Sequence, residues 1–157
     1  MHLHKYEKIW LSFGFAALII FLSVVGVSAF HQGHTPSGGL QKVDPDNLEA
    51  TPPFDSPGVY EKEDGSYEVI AIAEAFGYTP TEIQVPAGEE VTFKVTSKDV
   101  THSFSIVDTN VNMMVVPGKV NEKTHTFEDP GTYLIVCNEY CGSGHHFMSM
   151  EIEVVEQ

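Results

Sequence analysis

The stretch 137–148, CNEYCGSGHHFM, constrains this chain more than any other. It holds both cysteines of the protein, a histidine four residues after the second, and a methionine three after that. Thiolate, imidazole and thioether form the soft donor set that selects copper over magnesium or calcium. Two cysteines with three residues between them can turn both sulfurs toward one centre, and Gly142 and Gly144 let the backbone fold tightly around it. Copper sites in β-sandwiches usually take a second histidine from an earlier strand edge. His102, in DVTHSFSI, is placed to supply it.

Other chemistries fit less of the pattern. A cysteine pair outside the cytoplasm most often forms a disulfide, but the His and Met at ligand spacing, with the DVTH segment upstream, turn the reading toward metal. A thiol-redox copper chaperone carries C-x-x-x-C on a thioredoxin-like scaffold, and this sequence lacks the helices that alternate with strands there. A mononuclear blue-copper site uses one cysteine, which leaves the second unexplained. Zinc suits Cys₂His₂ but gives Met148 no role.

Residues 9–30 form an apolar run of 22 residues without a charge, enough to cross a bilayer as one α-helix. Lys5 and Lys8 precede it and the longer segment after it is acidic. The positive-inside rule therefore places residues 1–8 in the cytoplasm and the C-terminal part outside. Val27-Ser28-Ala29 would serve as a signal cleavage site, but the run exceeds a signal core, so an uncleaved anchor is expected. Ser12, Gly14, Ala16 and Ala17 give the helix a small-residue face on which a neighbouring helix could pack. Residues 31–57, rich in Pro, Gly, Asp and Ser, read as a linker. His31 and His34 read as linker residues and not as ligands. The segment LQKVDPDNL is expected to begin clinging to the domain or to a partner subunit.

Residues 58–157 read as all-β. Strands are expected at 67–74, 81–85, 90–97, 103–107, 112–116, 123–127, 131–136 and 148–155, with Pro-Gly and similar turn signals between them. The first has little polarity and should be buried on both faces or lie at a subunit contact. The strand 90–97 alternates Val91, Phe93 and Val95 with polar residues and should be half-buried. Short strands punctuated about every ten residues indicate a sandwich. From His31 onward 21 acids face six lysines, and the chain has no arginine. That excludes a nucleic-acid binder and favours a basic partner, or a generally acidic, solubilising surface.

The positions His102, Cys137, Cys141, His145 and Met148, with the backbone carbonyl of Glu139, resemble the binuclear copper (CuA) site of subunit II of haem–copper cytochrome c oxidases. The resemblance runs from the N-terminal helix to the last strand. It implies a cupredoxin-like Greek-key β-sandwich preceded by one transmembrane α-helix, with two copper ions bridged by the two thiolates. Each copper would take one histidine, and Met148 and the Glu139 carbonyl would be weak outer ligands. It also implies single-electron acceptance from cytochrome c and transfer to the low-spin haem of a haem-bearing subunit I, where oxygen is reduced to water.

The single anchor and the KYEKIW motif resemble the B-type (ba3-like) branch, in which a glutamate at the position of Glu7 lies at the cytoplasmic mouth of a proton channel. An aromatic turn like Phe76-Gly77-Tyr78 lies near copper in that branch, which makes Phe76 and Tyr78 a candidate docking surface for cytochrome c. A glutamate at the position of Glu139 reaches a magnesium ion in A-type relatives, while B-type relatives can carry glutamine there. His125 and His146 lie off the ligand pattern, and Ser103 and Ser105 read as polar strand faces. The alternative function is a stand-alone, membrane-anchored copper-binding or copper-delivery protein. A nitrous-oxide reductase copper domain normally accompanies a large catalytic domain for which 157 residues leave no room.

Overall fold

The structure, a computed structural model, describes residues 4–31 and 41–156. His34 and the side chain of His31 lie outside the described residues, as do residues 32–40 of the expected linker. The chain divides into two compact units, Met1–Thr35 and Pro36–Gln157.

The first unit carries α1, Lys5–His31, 27 residues long. At about 1.5 Å per residue it reaches roughly 40 Å, more than the ~30 Å of a bilayer's hydrocarbon core. Large apolar side chains such as Trp10, Phe13, Ile20 and Phe21 are exposed, as a helix surrounded by lipid requires. The helix starts four residues before the apolar run because its first turn is capped. The Glu7 carboxylate accepts the His4 backbone N–H at 2.8 Å, the return half of a capping box.

The second unit is a β-sandwich. Its strands among the described residues are β1 Gly58–Glu61, β2 Tyr67–Glu74, β3 Gly77–Thr79, β4 Ile83–Pro86, β5 Glu90–Ser97, β6 His102–Ile106, β7 Asn112–Val115, β8 Asn121–Thr126, β9 Gly131–Val136 and β10 Ser149–Val155. One sheet runs β1-β2-β5-β8 with β3 also on β2, and the other runs β4-β10-β9-β6-β7. This is the cupredoxin-like sandwich expected from the sequence. The strands β1 and β3 were not anticipated, since each is short and lacks a clear alternation.

The inner faces meet in one core. Val69, Ala71 and Ala73 of β2 and Val91, Phe93 and Val95 of β5 face Phe104, Met113, Ile135, Ile152 and Val154 of the other sheet. Phe104 packs edge-on to Tyr78 with ring centres 5.5 Å apart. Cys137, Cys141 and Met148 belong to this same cluster, so the sulfurs sit on the apolar end of the core. Register brings them there. Ser105 pairs with Val136, which brings the start of β6, at His102, beside the end of β9, where Cys137 follows. Ser149 also pairs with Val136, so the strands on either side of the ligand loop leave it at one edge.

A second cluster lies on the outer face of the first sheet. Val43, Leu48 and Phe54 cover Ile70, Ile72 and Val120. The residues 41–43 run beside 118–120, with Val43 N–H to Gly118 O at 3.2 Å and Val120 N–H to Gln41 O at 3.0 Å. A short 3₁₀ turn, Pro45–Ala50, follows, its first turn capped by the Asp44 side chain. The half of the expected linker after residue 41 thus packs as a strap. It explains why β2 is buried on both faces, each isoleucine contributing about 1.5–3 kcal/mol by burial. It also corrects the half-buried reading of β5. Thr96 is buried with its hydroxyl donating to Lys119 O at 2.8 Å, and Thr92 is buried 3.1 Å from the Thr124 hydroxyl.

Candidate metal centre

The loop 137–148 is closed by its own backbone. Cys137 N–H donates to Met148 O at 3.1 Å. Inside, His145 N–H meets Gly142 O at 3.1 Å and Met148 N–H meets His145 O at 3.1 Å, around a 3₁₀ turn His145–Phe147. Gly142 holds φ +130°, a conformation that side-chain-bearing residues rarely adopt.

This folding gathers the donor atoms. The two Sγ atoms lie 3.9 Å apart. That is far beyond the ~2.05 Å of a disulfide, and both cysteines are free. Two thiolates each about 2.3 Å from a shared metal sit roughly 3.8 Å apart at a tetrahedral angle, so the spacing fits metal sharing. The Glu139 carbonyl lies 3.2 Å from Cys137 Sγ. His145 Nδ1 and Met148 Sδ lie 3.7 Å and 3.6 Å from Cys141 Sγ. A ring nitrogen of His102 and both sulfurs lie within 4.8 Å of one another. The buried His102 Nδ1 has no partner among the described residues, while Nε2 is taken by Asp99 Oδ1 at 2.7 Å. An orphaned, fully buried ring nitrogen beside two thiols is a strong sign that a cation completes the site.

Burial pushes the Cys141 thiol up to about 11, aided by the hydrogen bond and charge of Cys137. Metal-free, it stays protonated at neutral pH, so binding a cation releases a proton from it. Burial alone would raise the Asp99 carboxyl, but the His102 bond and the Val100 and Ala75 backbone N–H groups hold it below its usual value. Asp99 is thus an anion that fixes the His102 tautomer and leaves Nδ1 free as a donor. The sequence reading missed it, although an aspartate three residues before the histidine in DVTH was the available signal.

Ser103 is a second omission and a correction. It is 1% exposed, not part of a polar strand face. Its N–H points at Cys137 Sγ at 3.5 Å, and its Oγ accepts the Asn138 N–H at 2.6 Å. Tyr78 is also corrected. It is 4% exposed, with its hydroxyl donating to Ser103 O at 2.6 Å, so it does not lie on a docking surface. An apolar ring that reaches a buried carbonyl packs inward. Burial and the two nearby sulfurs push its pKa far up, so it remains a donor.

Phe76 is 45% exposed and stands in the left-handed region, φ +69°, which costs a bulky residue about 1–3 kcal/mol. Glu7 is exposed in the first turn of α1. The Glu139 side chain is half-buried. His125 packs against the core edge. It is half-buried, edge-on to Phe127 at 4.6 Å, with Nδ1 2.8 Å from Asn110 Oδ1. His146 is exposed beside Phe147.

A sandwich with two unbonded thiols, imidazole and thioether gathered at one end defines a soft-metal protein of the cupredoxin class. The comparisons with known proteins are narrower. The family model of the cytochrome C oxidase subunit II periplasmic domain matches residues 66–155. Cytochrome c oxidase subunit 2 of Thermus thermophilus is 43% identical over 155 residues, covering 96% of this chain and 92% of that one. A chain of a heme-copper terminal oxidase dimer, solved by cryo-EM, matches with TM-score 0.80 at 33% identity, covering 96% of this chain and all of that one. The periplasmic domain of subunit II of the Bradyrhizobium japonicum oxidase shares the fold, with TM-score 0.54 at 24% identity over 57% of this chain and 84% of that one. The chain belongs to the cytochrome c oxidase subunit II family, and its role is electron transfer within a respiratory oxidase.

Proposed function

We propose that the chain holds a two-copper CuA centre through His102, Cys137, Cys141 and His145, with Met148 and the Glu139 carbonyl as weak outer ligands. The observation that carries this is the pair of unbonded sulfurs 3.9 Å apart beside the orphaned His102 Nδ1. Copper supplies reversible one-electron acceptance there. The protein's part is to hold donors that do not rearrange. Asp99 orients His102, Ser103 directs an N–H at Cys137, and the core end keeps water from the sulfurs.

In this reading the chain is subunit II of a B-type oxidase. It takes single electrons from cytochrome c and hands them to the low-spin haem of subunit I. The exposed rings of Phe76, Tyr140 and Phe147 around the ligand loop support a docking patch for the donor. The α1 helix anchors the chain with its N-terminus cytoplasmic. Ala16 and Ala17 lie in a shallow apolar groove between Phe13, Ile20 and Phe21, which supports packing against a helix of subunit I. Glu7 sits at the cytoplasmic end of the anchor, where a carboxylate can exchange protons with water. The test is affinity capture of the full chain from its native membrane. A haem-bearing large subunit must come with it, and reduced cytochrome c must reduce that haem. A chain that comes alone, loaded with copper, would replace this reading with a stand-alone copper-binding or delivery protein.

A further inference from the structure

The turn between β2 and β3 reaches the ligand set at three separate points. The Ala75 backbone N–H bonds the Asp99 carboxylate, which holds His102 Nε2. The Tyr78 hydroxyl donates to the carbonyl of Ser103, whose own N–H and Oγ meet Cys137 Sγ and the Asn138 N–H. The Phe76 ring lies over the far part of the loop. A Cβ placed on Gly144 would come 2.5 Å from Phe76 Cδ1, and one on Gly142 would come 3.3 Å from Cε1. Gly144, the residue before His145, thus has no room for a side chain where the ring sits, and Gly142 is tight against the ring and restricted by its φ of +130°.

The backbone of the turn shows that this placement is enforced. Phe76 takes a left-handed φ at the second position of a two-residue turn, where glycine is the usual occupant, because the Glu74–Gly77 pairing keeps Gly77 in the strand. The ring is not held by deep burial, being 45% exposed. Strain of this kind persists only where the surroundings over-determine it. The surroundings are the β2–β3 pairing, Glu74 with Gly77 and Ala73 with Tyr78, and the Thr79 hydroxyl donating to Glu74 at 2.9 Å.

We infer that the turn Ala75–Tyr78 is a brace that sets the ligand loop and His102 in their binding geometry before metal arrives. Ala75 positions His102 through Asp99, Tyr78 positions Cys137 through Ser103, and Phe76 positions the Cys141–His145 segment through the two glycines. Phe76 is then a positioning residue in addition to any contact with a donor protein. The inference rests on the reading of this loop as a copper site. Its consequence is a site whose ligands move little between redox states, because the loop is pinned at both ends.

The test uses the full chain in detergent, with Phe76→Ala, Phe76→Tyr and Tyr78→Phe. Three measurements need no donor protein: amide hydrogen exchange of the metal-free loop, release of loaded copper to excess chelator, and the electron paramagnetic resonance spectrum. For Phe76→Ala, exchange over 142–147 and copper release should each rise roughly tenfold, within the usual range for loss of one packing contact, and the copper hyperfine pattern should shift. Phe76→Tyr keeps the ring and should restore all three. Tyr78→Phe should speed exchange at Asn138 and leave 142–147 near wild type. Wild-type exchange, release and spectrum in Phe76→Ala, with only the rate of reduction by cytochrome c lowered, would overturn the brace and leave docking alone. If the unaltered chain takes up no copper, the metal reading fails. The exchange data then still decide whether the turn pins the loop.

Discussion

His102 and His145 approach the same pair of sulfurs from two different kinds of structure. His102 opens β6, is fully buried, and is held through Nε2 by a carboxylate. Cys137 beside it directly follows β9 and is 7% exposed. His145 stands on a 3₁₀ turn inside a loop, is half-exposed, and has Tyr140 as its ring neighbour at 5.8 Å. The first half of the site inherits its order from the sheet. The second depends on two glycines, the Cys137–Met148 backbone bond and the ring of Phe76. Substitutions in the strand-borne half should therefore damage fold and metal together, and those in the loop-borne half should damage metal alone.

The largest expected effect comes from Cys137→Ser. Removing a sulfur that both metals would share should abolish the two-ion centre, read as loss of the second copper by elemental analysis. His102→Ala and His145→Ala test the comparison itself. Both should lose the native copper spectrum, but only His102→Ala should destabilise the metal-free protein, by about 1–3 kcal/mol, since it removes a fully buried ring together with its bond to Asp99. His145→Ala should cost less than about 1 kcal/mol, since the ring is only half-buried and stands on a loop outside the core. Urea midpoints of the two metal-free variants decide it, and equal losses would erase the distinction.

Asp99→Asn should weaken copper binding by roughly 10–100-fold, the usual effect of removing a carboxylate behind a ligating histidine, measured by chelator competition. The smallest effect lies away from the site. Burial holds the His125 imidazole below its usual 6.5, with Glu128 opposing. Between the folded and unfolded values the unfolded chain binds more protons, so stability should fall as pH drops below about 6.5. His125→Gln should flatten that part of the urea-midpoint profile without touching the copper spectrum. An unchanged slope would place the pH dependence elsewhere.

The donor set was legible because metal chemistry restricts residue type at fixed spacing, and few other demands put two cysteines, a histidine and a methionine in twelve residues. The strands β2, β5 and β9 were legible from their apolar runs and flanking turns. The strap was legible only at its start: LQKVDPDNL was expected to begin clinging to the domain or a partner, and Val43 and Leu48 do pack on the sheet, but Phe54 is a single apolar residue among prolines and acids with no period to betray it. Tyr78 and Ser103 were misjudged for a related reason. An aromatic in a turn and a serine in a strand both have polar atoms that a one-dimensional pattern sends to solvent. Only the pairing of β6 with β9 and the reach of the β2–β3 turn bring those atoms to the loop.

The central claim is the pairing of two metals at the two sulfurs. Copper stoichiometry with electron paramagnetic resonance on the full chain in detergent, reduced and then loaded with copper, tests it most directly. Two coppers per chain, with one unpaired electron shared equally between them, is the predicted result. One copper with an ordinary four-line spectrum, or a chain that refuses copper after reduction, would contradict it.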